Sequence, residues 1–329
     1  MEHFIPDYYN AFSCIASACP DSCCKEWEVD VDDAAAAYYR ALPGALGDRL
    51  RQVLQDTENG SCMTITDGRC PMWQNDGLCR IHAELGHDAL CQTCREYPRI
   101  KHEYDGYTEL GLELSCPEAA RLILSSSQTG TTTHTPGDDP SWEFSVLKKG
   151  RDDLLTFWET AQRPIPQMLA ATLLFSYDLQ EALNGGAEAE FSPDFGTLPL
   201  QTVTVQPLVE FMGKLEILTP EWAAFLRNPS PAVWHPEIRN LAIYAIRRWW
   251  LQAVSDLDVV CRAKLILVMC LLVAHFPGNP LRAGQLMSKE LENNLENIVA
   301  ILDNAYSSPA LTDAYLLSLL LEDKNRFSS

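Results

Sequence analysis

Eleven residues near the start of the chain, Cys14 to Cys24, have the sequence CIASACPDSCC and include four cysteines. They begin a segment that ends at Cys116 and holds ten of the twelve cysteines of this 329-residue chain. Thiolates a few residues apart on irregular backbone can converge on one soft metal centre, as in iron–sulfur clusters and structural zinc sites. This density therefore predicts a metal-binding domain in the first third of the chain.

The cysteines differ in their surroundings. The others in the same segment are Cys62, Cys70, Cys79, Cys91, Cys94 and Cys116. Cys116 precedes Pro117 at a predicted helix start, where the helix dipole favours a thiolate. Cys261 and Cys270 stand alone in apolar sequence and are expected to pack as small hydrophobic side chains. Cys62 lies outside the tight spacings and fits either interpretation.

Composition limits the classes of partner. The chain has 25 Lys and Arg against 45 Asp and Glu, a formal net charge of −20. Nucleic-acid binders need clustered cations, so nucleic acid is not expected as a partner. The start of the sequence lacks the basic and apolar parts of a signal peptide, and the longest apolar run, Leu265 to Phe276, is too short to cross a bilayer. We therefore expect a cytoplasmic protein that has no membrane contact and whose cysteines are reduced.

A polar segment rich in Ser, Thr, Gly and Pro divides the chain at residues 126–141. We expect a cysteine-rich α+β metal-binding domain at residues 1–125, a linker at 126–141 and an all-helical domain at 142–329. The predicted fold class is therefore mainly α. In the last part, the segment from Val259 to His275 is apolar nearly all round, which is typical of a buried central helix. Only Thr202 to Val205 is β-prone there.

Local patterns predict the elements of the first part. Asp32 and Asp33 mark the start of an Ala-rich helix, and a second helix follows Pro43-Gly44. Short β-type runs at 64–66 and 78–81 flank a plausible hairpin turn at 75–77. A strand is also predicted around Leu112, followed by a helix that starts at Pro117.

Several motifs in the first part occur together. They are Pro6-Asp7-Tyr8-Tyr9-x2-Phe12-x-Cys14-Ile15, then Cys19, Asp21-x-Cys23-Cys24, Trp27 and Asp30, then Cys70 to Cys79 followed by Ile81-His82 and Leu85-Gly86, then Cys94-Arg95-x-Tyr97-Pro98-Arg99, and last Ser115-Cys116-Pro117-Glu118. Over about residues 5–122 these motifs resemble the bacterial flagellin lysine-N-methylase family (FliB type). Paired Cys-Cys and Cys-Arg-x-x-Pro elements also resemble cysteine-rich zinc- or iron-chelating proteins.

The resemblance implies an activity and a cofactor. It implies a cytoplasmic enzyme that methylates lysines of flagellin with S-adenosylmethionine and that holds an iron–sulfur cluster, for which we expect the 4Fe–4S type, with zinc as the alternative metal. Cys91 stands where the family has a small polar residue, and it is left out of the predicted ligands. The predicted ligands are Cys14, Cys19, Cys23, Cys24, Cys70, Cys79, Cys94 and Cys116.

No Gly-x-Gly-x-Gly loop or Cys-x3-Cys-x2-Cys loop marks a donor site. We expect an iron of the cluster, Arg95 or Arg99 to hold the carboxylate of the donor, and Trp27, Tyr97 or Tyr8 to stack on its adenine or sulfonium. Arg95, Arg99 and Tyr97 are thus the predicted catalytic residues, and Trp27 and Tyr8 the predicted cofactor contacts. Alternatively, the arginines offset the charge of the cluster and Trp27 belongs to the core.

Three functional hypotheses follow. The first is the flagellin lysine methyltransferase, whose acidic surface would attract cationic substrate lysines, although the charge serves solubility equally well. The second is a non-catalytic zinc- or iron–sulfur-binding module that recognises a partner. The third is electron transfer through a cluster. Measuring which metal is bound and whether methyl groups are transferred would distinguish these three hypotheses.

Overall fold

The structure, a computed structural model, describes residues 1–25, 28–58, 60–137, 139–192 and 198–321. The strands are β1 (Glu2–Pro6), β2 (Val29–Val31), β3 (Leu54–Thr57), β4 (Gly60–Met63), β5 (Arg99–Tyr104), β6 (Tyr107–Leu112) and β7 (Gly130–His134). The helices are α1 (Asp7–Ala11), α2 (Asp33–Ala41), α3 (Gly44–Val53), α4 (Arg80–Leu85), α5 (Gln92–Glu96), α6 (Pro117–Ser125), α7 (Trp142–Thr160), α8 (Ile165–Leu183), α9 (Gln206–Met212), α10 (Pro220–Arg227), α11 (Glu237–Trp249), α12 (Val259–His275), α13 (Pro280–Leu291), α14 (Leu295–Asp303) and α15 (Asp313–Leu321).

Helix is the main regular structure, which confirms the mainly α prediction. Helix accounts for 55% of the residues that the structure describes. From α7 onward, the regular elements in residues 142–192 and 198–321 are all helical. All the residues of α12 are buried, as the unbroken apolar run predicts for a central helix.

A four-stranded sheet has the order β5-β6-β1-β7. β1 pairs parallel with β6 and antiparallel with β7, and β5 and β6 form an antiparallel hairpin. β7 lies within the segment predicted as a linker, so that segment includes an edge strand. Gly130 at its start is needed because a Cβ there would lie 2.6 Å from the Ile5 carbonyl oxygen and from the Phe4 ring.

A second, three-stranded sheet has the order β2-β4-β3 and a small core of its own. Val29 and Val31 of β2 pack there with Tyr39 of α2, Leu50 of α3 and Ile81 of α4. Cys70 and Cys91 are buried in the same core. The cysteine segment therefore surrounds a compact apolar centre.

The large core joins the four-stranded sheet to the helices. Phe4 of β1, Leu112 of β6 and Ile123 of α6 are buried in one cluster with Trp158 of α7 and Leu267 of α12. Elements on both sides of the predicted linker therefore share one core. The division at residues 126–141 stays a prediction, since it concerns units that fold alone.

Most of the local predictions in the first part are confirmed. Asp32 caps α2 by accepting a hydrogen bond from the Ala35 N–H, and α6 begins at Pro117. The strand predicted at 78–81 is wrong: one bridge joins Trp73 and Cys79, and helix α4 then begins at Arg80. The run at 64–66 is likewise irregular, because β4 ends at Met63.

The β-prone run at 202–205 is also not a strand. Its backbone is bonded to side chains of α15 instead of to a neighbouring strand. The Thr204 carbonyl accepts from the Tyr315 hydroxyl at 2.8 Å, and the Gln201 N–H donates to Ser318 Oγ at 3.0 Å. Partners outside the local sequence therefore override its β propensity.

A buried ion pair joins β6 to α7. Arg151 and Glu109 are 1% and 5% exposed, and Arg151 Nη1 lies 2.5 Å from Glu109 Oε2. The Tyr107 hydroxyl contacts both side chains, and Arg247 Nη1 of α11 lies 3.5 Å from Glu109 Oε1. These contacts satisfy two charges that would otherwise be costly to bury.

Replacing Arg151 with Met is expected to lower the free energy of unfolding by about 3–5 kcal/mol, because Glu109 would remain buried without its main cation. The measurement is urea unfolding at pH 7. The matched control is Lys101→Met, which removes the exposed Lys101–Glu103 pair and should cost no more than about 1 kcal/mol. Equal losses in the two variants would contradict this account of the buried pair.

Candidate metal centre and adjoining polar residues

Three thiols lie in hydrogen-bonding contact. Cys24 bonds with both Cys23 and Cys70. The hydrogen bond with Cys24 lowers the pKa of Cys70 to about 7, in spite of its burial. Hydrogen bonding with Cys24 also lowers the pKa of Cys23, and the pKa of Cys24 itself is raised well above that of an ordinary thiol. Among the three thiols, the hydrogen bonds therefore favour the protonated form of Cys24 and the thiolate forms of Cys23 and Cys70.

The other predicted ligands adjoin these three. Burial raises the pKa of Cys79, and the charges of Cys70 and Cys23 raise it further. Cys94 is hydrogen-bonded to Cys91, and its pKa also responds to the charges of Cys23 and Cys79. The remaining members of this thiol network are Cys14, Cys19 and Cys116, which are linked to it through Cys23 and through one another.

The structure thus brings the eight predicted ligands into one region and adds a ninth thiol. Cys91 is buried and hydrogen-bonded to Cys94. Its Cys-x2-Cys spacing with Cys94 was the signal for including it. Cys62 belongs elsewhere: it is buried on β4, and the charges that influence it are those of Glu28 and Asp30. Cys270 is fully buried in α12.

Three thiols of the network occupy helix N-caps. They are Cys79 before α4, Cys91 before α5 and Cys116 before α6. The nearby backbone N–H groups of Ala119 and Glu118 lower the pKa of Cys116 and so oppose burial, which raises that pKa to about 12. Backbone donors at a helix start stabilise a thiolate. Local sequence therefore orients these sulfurs toward one region.

The chemistry of this donor set suits a thiophilic centre. Clustered thiols with backbone N–H donors are the ligands that iron–sulfur clusters and structural zinc use. Among the residues that the structure describes, no three His, Cys, Asp or Glu side chains meet in the geometry of a metal site. The donors are therefore of the right kind, and the predicted cluster stays a prediction.

Tyr97 lies beside the network. Its hydroxyl is 3.0 Å from Ser115 Oγ, and burial together with the charges of Cys116 and Cys23 raises its pKa well above the ordinary value. Glu113 adjoins the same tyrosine, and burial and the charge of Glu292 raise the pKa of Glu113 to about 7. An acid with such a pKa can exchange a proton near neutral pH. Sequence reasoning missed Glu113, because only the fold buries it.

Tyr8 lies in a different place from the thiols. It is buried and lines a small cavity with His102, Tyr244, Arg247 and Arg248. Tyr244 donates to the carboxylate of Glu292 at 3.0 Å, which connects this cavity to the surroundings of Glu113. The predicted cofactor contact is thus part of a buried polar region next to the network. Trp27, the other predicted contact, lies outside the described residues.

The two predicted arginines are both exposed. Arg99 stacks over the rings of Tyr9 and Phe12, with its guanidinium carbon 5.6 Å and 5.2 Å from the ring centres. Arg95 donates to the Leu90 carbonyl oxygen at 3.4 Å. Arg99 therefore borders the N-terminal aromatic residues, and Arg95 contacts the backbone before α5.

A cluster of cations from α13 contacts the first cysteine loop. Arg282 Nη1 and Lys289 Nζ each lie 3.2 Å from Asp21 Oδ2, and Gln285 Nε2 also donates to that oxygen. Burial opposes ionisation of Asp21, but the charge of Lys289 and hydrogen bonds from Ser22, Arg282 and Lys289 lower its pKa to about 2. Arg282 and Lys289 lie more than 250 residues from Asp21, so no local sequence pattern predicts these contacts.

Curated proteins with similar sequences match 36% of this chain. The flagellar biosynthetic protein FliU of Salmonella muenchen is 35% identical over 129 residues, which cover 36% of this chain and 75% of FliU. This chain belongs to the flagellin lysine-N-methylase family. The lysine-N-methylases of Salmonella typhimurium and Salmonella choleraesuis are each 34% identical over 129 residues. The match spans 31% of their length, or about a third.

Other comparisons add little to this family assignment. No protein-family model matches the chain, and no solved structure matches it significantly. Among the described residues, no helix combines the length and the apolar character needed to cross a membrane. The family resemblance inferred from the motifs is thus confirmed by the similarity to curated relatives.

His102 of this family member is expected to make folding sensitive to mild acid. Burial and the charge of Arg248 lower its pKa to about 4, so it stays neutral while an unfolded chain with a pKa of about 6.5 takes up a proton. Stability is therefore fully present above about pH 6.5 and is lost as the pH falls toward 4. His102→Gln keeps an acceptor for Arg248 and should remove part of that loss, measured as the unfolding midpoint from pH 7 to pH 5.

The control is His134→Gln, which replaces an exposed histidine of β7 and should keep the wild-type response to acid. If His102→Gln shows the same fall in stability as the wild type, the proton uptake responsible occurs at another group.

Proposed function

We propose that this protein is a protein-lysine N-methyltransferase that transfers methyl groups from S-adenosylmethionine to lysines of flagellin in the cytoplasm, and that its thiol network holds an iron–sulfur cluster. Membership of the flagellin lysine-N-methylase family carries the proposal. The supporting structural observation is the gathering of eight motif cysteines into one network beside Tyr97.

The reaction defines what the site must provide. The lone pair of a neutral lysine Nζ attacks the methyl carbon of the donor, the new C–N bond forms, the C–S bond breaks, and S-adenosylhomocysteine leaves. The amine also loses a proton, so a nearby acceptor is required. A bound cluster would supply an electrophilic iron able to hold the amino acid part of the donor. The protein must therefore align the donor and the amine and exclude water.

The residues near the network match these tasks in part. Tyr97 lies near Cys23 and Cys116, whose charges act on its hydroxyl, and its ring is proposed to pack against the donor. Arg99 is exposed at the aromatic residues of the N-terminus and can pair with a carboxylate. Arg95, Tyr8 and Trp27 remain proposed contacts on the strength of the motifs alone.

One observation favours a second candidate function. The match covers three quarters of FliU but less than a third of the lysine-N-methylases. A chain that shares one region with the methylases is also consistent with a non-catalytic module that binds zinc or an iron–sulfur cluster and recognises a partner. Colour and metal content separate the two cofactors, since zinc proteins are colourless.

The protein purified without oxygen is expected to contain iron and sulfide and to absorb broadly near 400 nm. Cys70→Ser should remove most of both, because Cys70 is a readily ionised thiol at the centre of the network. Cys270→Ala is the matched control and should keep the iron, since Cys270 is fully buried in α12. A variant without the eight motif cysteines that still binds iron would contradict the proposed cluster, and stoichiometric zinc would favour the module.

Methyl transfer is tested with labelled donor and the cognate flagellin. Arg99→Ala is expected to weaken use of the donor about ten- to hundredfold, mainly in KM, because a hydrogen bond to a charged group contributes about 1.5–3 kcal/mol. Lys101→Ala, two residues along the same strand, is the control and should keep wild-type kinetics. An iron-replete wild-type protein that transfers no methyl group would overturn the enzyme proposal in favour of the module.

A further inference from the structure

Helix α13 places a buried lysine against the first cysteine loop. Lys289 is 4% exposed, and its Nζ lies 3.2 Å from Asp21 Oδ2. Asp21 stands in that loop between Cys19 and Cys23, two of the predicted ligands, so the buried ammonium lies beside the cysteine segment. A lysine is seldom buried so fully without an anionic neighbourhood, because desolvating its charge costs several kcal/mol.

Asp21 anchors this group of cations. Among the described residues, its carboxylate contacts Lys25 at 3.6 Å as well as Arg282 and Lys289. Arg282 is shared with Glu221 and is partly exposed, whereas Lys289 is enclosed. Of these cations, Lys289 is therefore the one whose field solvent screens least.

A thiolate-held metal centre needs such a field. Four thiolates around a zinc ion or a 4Fe–4S core leave net negative charge on the centre, and cations in a low-dielectric setting stabilise it. From the sequence alone, Arg95 and Arg99 are the alternative candidates for this role. Both are exposed, and the contacts described above occupy them with the Leu90 carbonyl and with aromatic rings.

We propose that Lys289 is the charge partner of the thiolate centre, so that a residue of the helical part sets the metal affinity and the reduction potential of the cysteine part. The inference rests on the metal site of the proposed function and is independent of methyl transfer. Lys289 is a positioning and tuning residue, since it acts through the thiolates. Asp21 holds the ammonium group of Lys289 in place and at the same time adds a negative charge next to the thiolate centre.

The two charges predict opposite effects on metal binding. Lys289→Met removes a cation and should weaken the binding of an anionic centre. Asp21→Asn removes an anion but keeps an oxygen that can accept from Arg282 and Gln285, so the loop stays on α13 and the binding should be unchanged or tighter. If Lys289 acted only by anchoring the loop through Asp21, both variants would weaken binding alike. Lys289→Arg keeps the charge and should restore most of the affinity.

The experiment titrates the full-length, metal-free, reduced protein with Cd²⁺ and follows the ultraviolet charge-transfer band of cadmium thiolates, with a chelator as competitor. Lys289→Met is expected to lose at least about tenfold in affinity, equivalent to about 1.4 kcal/mol. Lys264→Met is the matched control, because Lys264 is also a buried lysine paired with an aspartate, Asp313. It should bind Cd²⁺ as the wild type does.

A second readout and a second variant keep the test decisive. In protein loaded with iron and sulfide, Lys289→Met should shift the reduction potential to lower values, while Lys264→Met should not. If Lys289→Met folds poorly, the double variant Asp21→Asn/Lys289→Met removes both members of the ion pair, and it should bind Cd²⁺ more weakly than Asp21→Asn alone.

The outcomes separate this inference from the proposed function. Unchanged Cd²⁺ affinity in Lys289→Met, or equal weakening in Asp21→Asn, would overturn the inference and leave the metal site intact. A wild-type protein that shows no thiolate band with Cd²⁺ would overturn both the inference and the metal part of the proposed function. The expected Cd²⁺ results together with absent methyl transfer would support the inference and overturn the enzyme proposal.

Discussion

The carboxylate of Asp21 holds the first cysteine loop on helix α13. It accepts from Arg282, Gln285 and Lys289, and Gln285 also donates to the Ser115 carbonyl oxygen at 2.7 Å, next to Cys116. Two cysteine-bearing segments nearly a hundred residues apart in sequence are thereby attached to one helix. Without that attachment, the exposed loop around Cys14 and Cys23 would have little to fix its position, because its own residues contribute few side chains to either core.

Elements on both sides of the cysteine segment belong to the large core. β1 precedes the cysteine loop and lies between β6 and β7, while α6 follows Cys116 and packs on α11 and α13. The cysteine segment from Cys14 to Cys116 is therefore bounded at both ends by elements that belong to the large core. A thiol network built on such a base gains its geometry from tertiary packing and not from a small domain that must be stable by itself.

Local sequence was sufficient to predict a helix where it contains a capping residue, a proline at the first turn or a long apolar run. Asp32, Pro117 and the apolar run of α12 each carry a signal within a few residues, and the structure has helices at all three places. The run at 202–205 failed because Tyr315 and Ser318, more than a hundred residues away, bond its backbone. β7 was missed because its threonines are exposed at a sheet edge and show no apolar alternation.

In the candidate site too, the thiols could be predicted from local sequence, whereas the charged groups around them could not. Cysteine spacing pointed to the thiols, and the structure brings those thiols together, since ligand spacing is a local property. The groups that set their electrostatics are not local. Lys289 belongs to α13 and contacts Asp21 of the first cysteine loop, and no pattern near Cys23 predicts it. Charge partners of a buried anionic site can come from any element that packs against it, so their positions depend on the whole fold. In this protein the helical part is therefore more than a scaffold, because it supplies the field in which the thiols ionise.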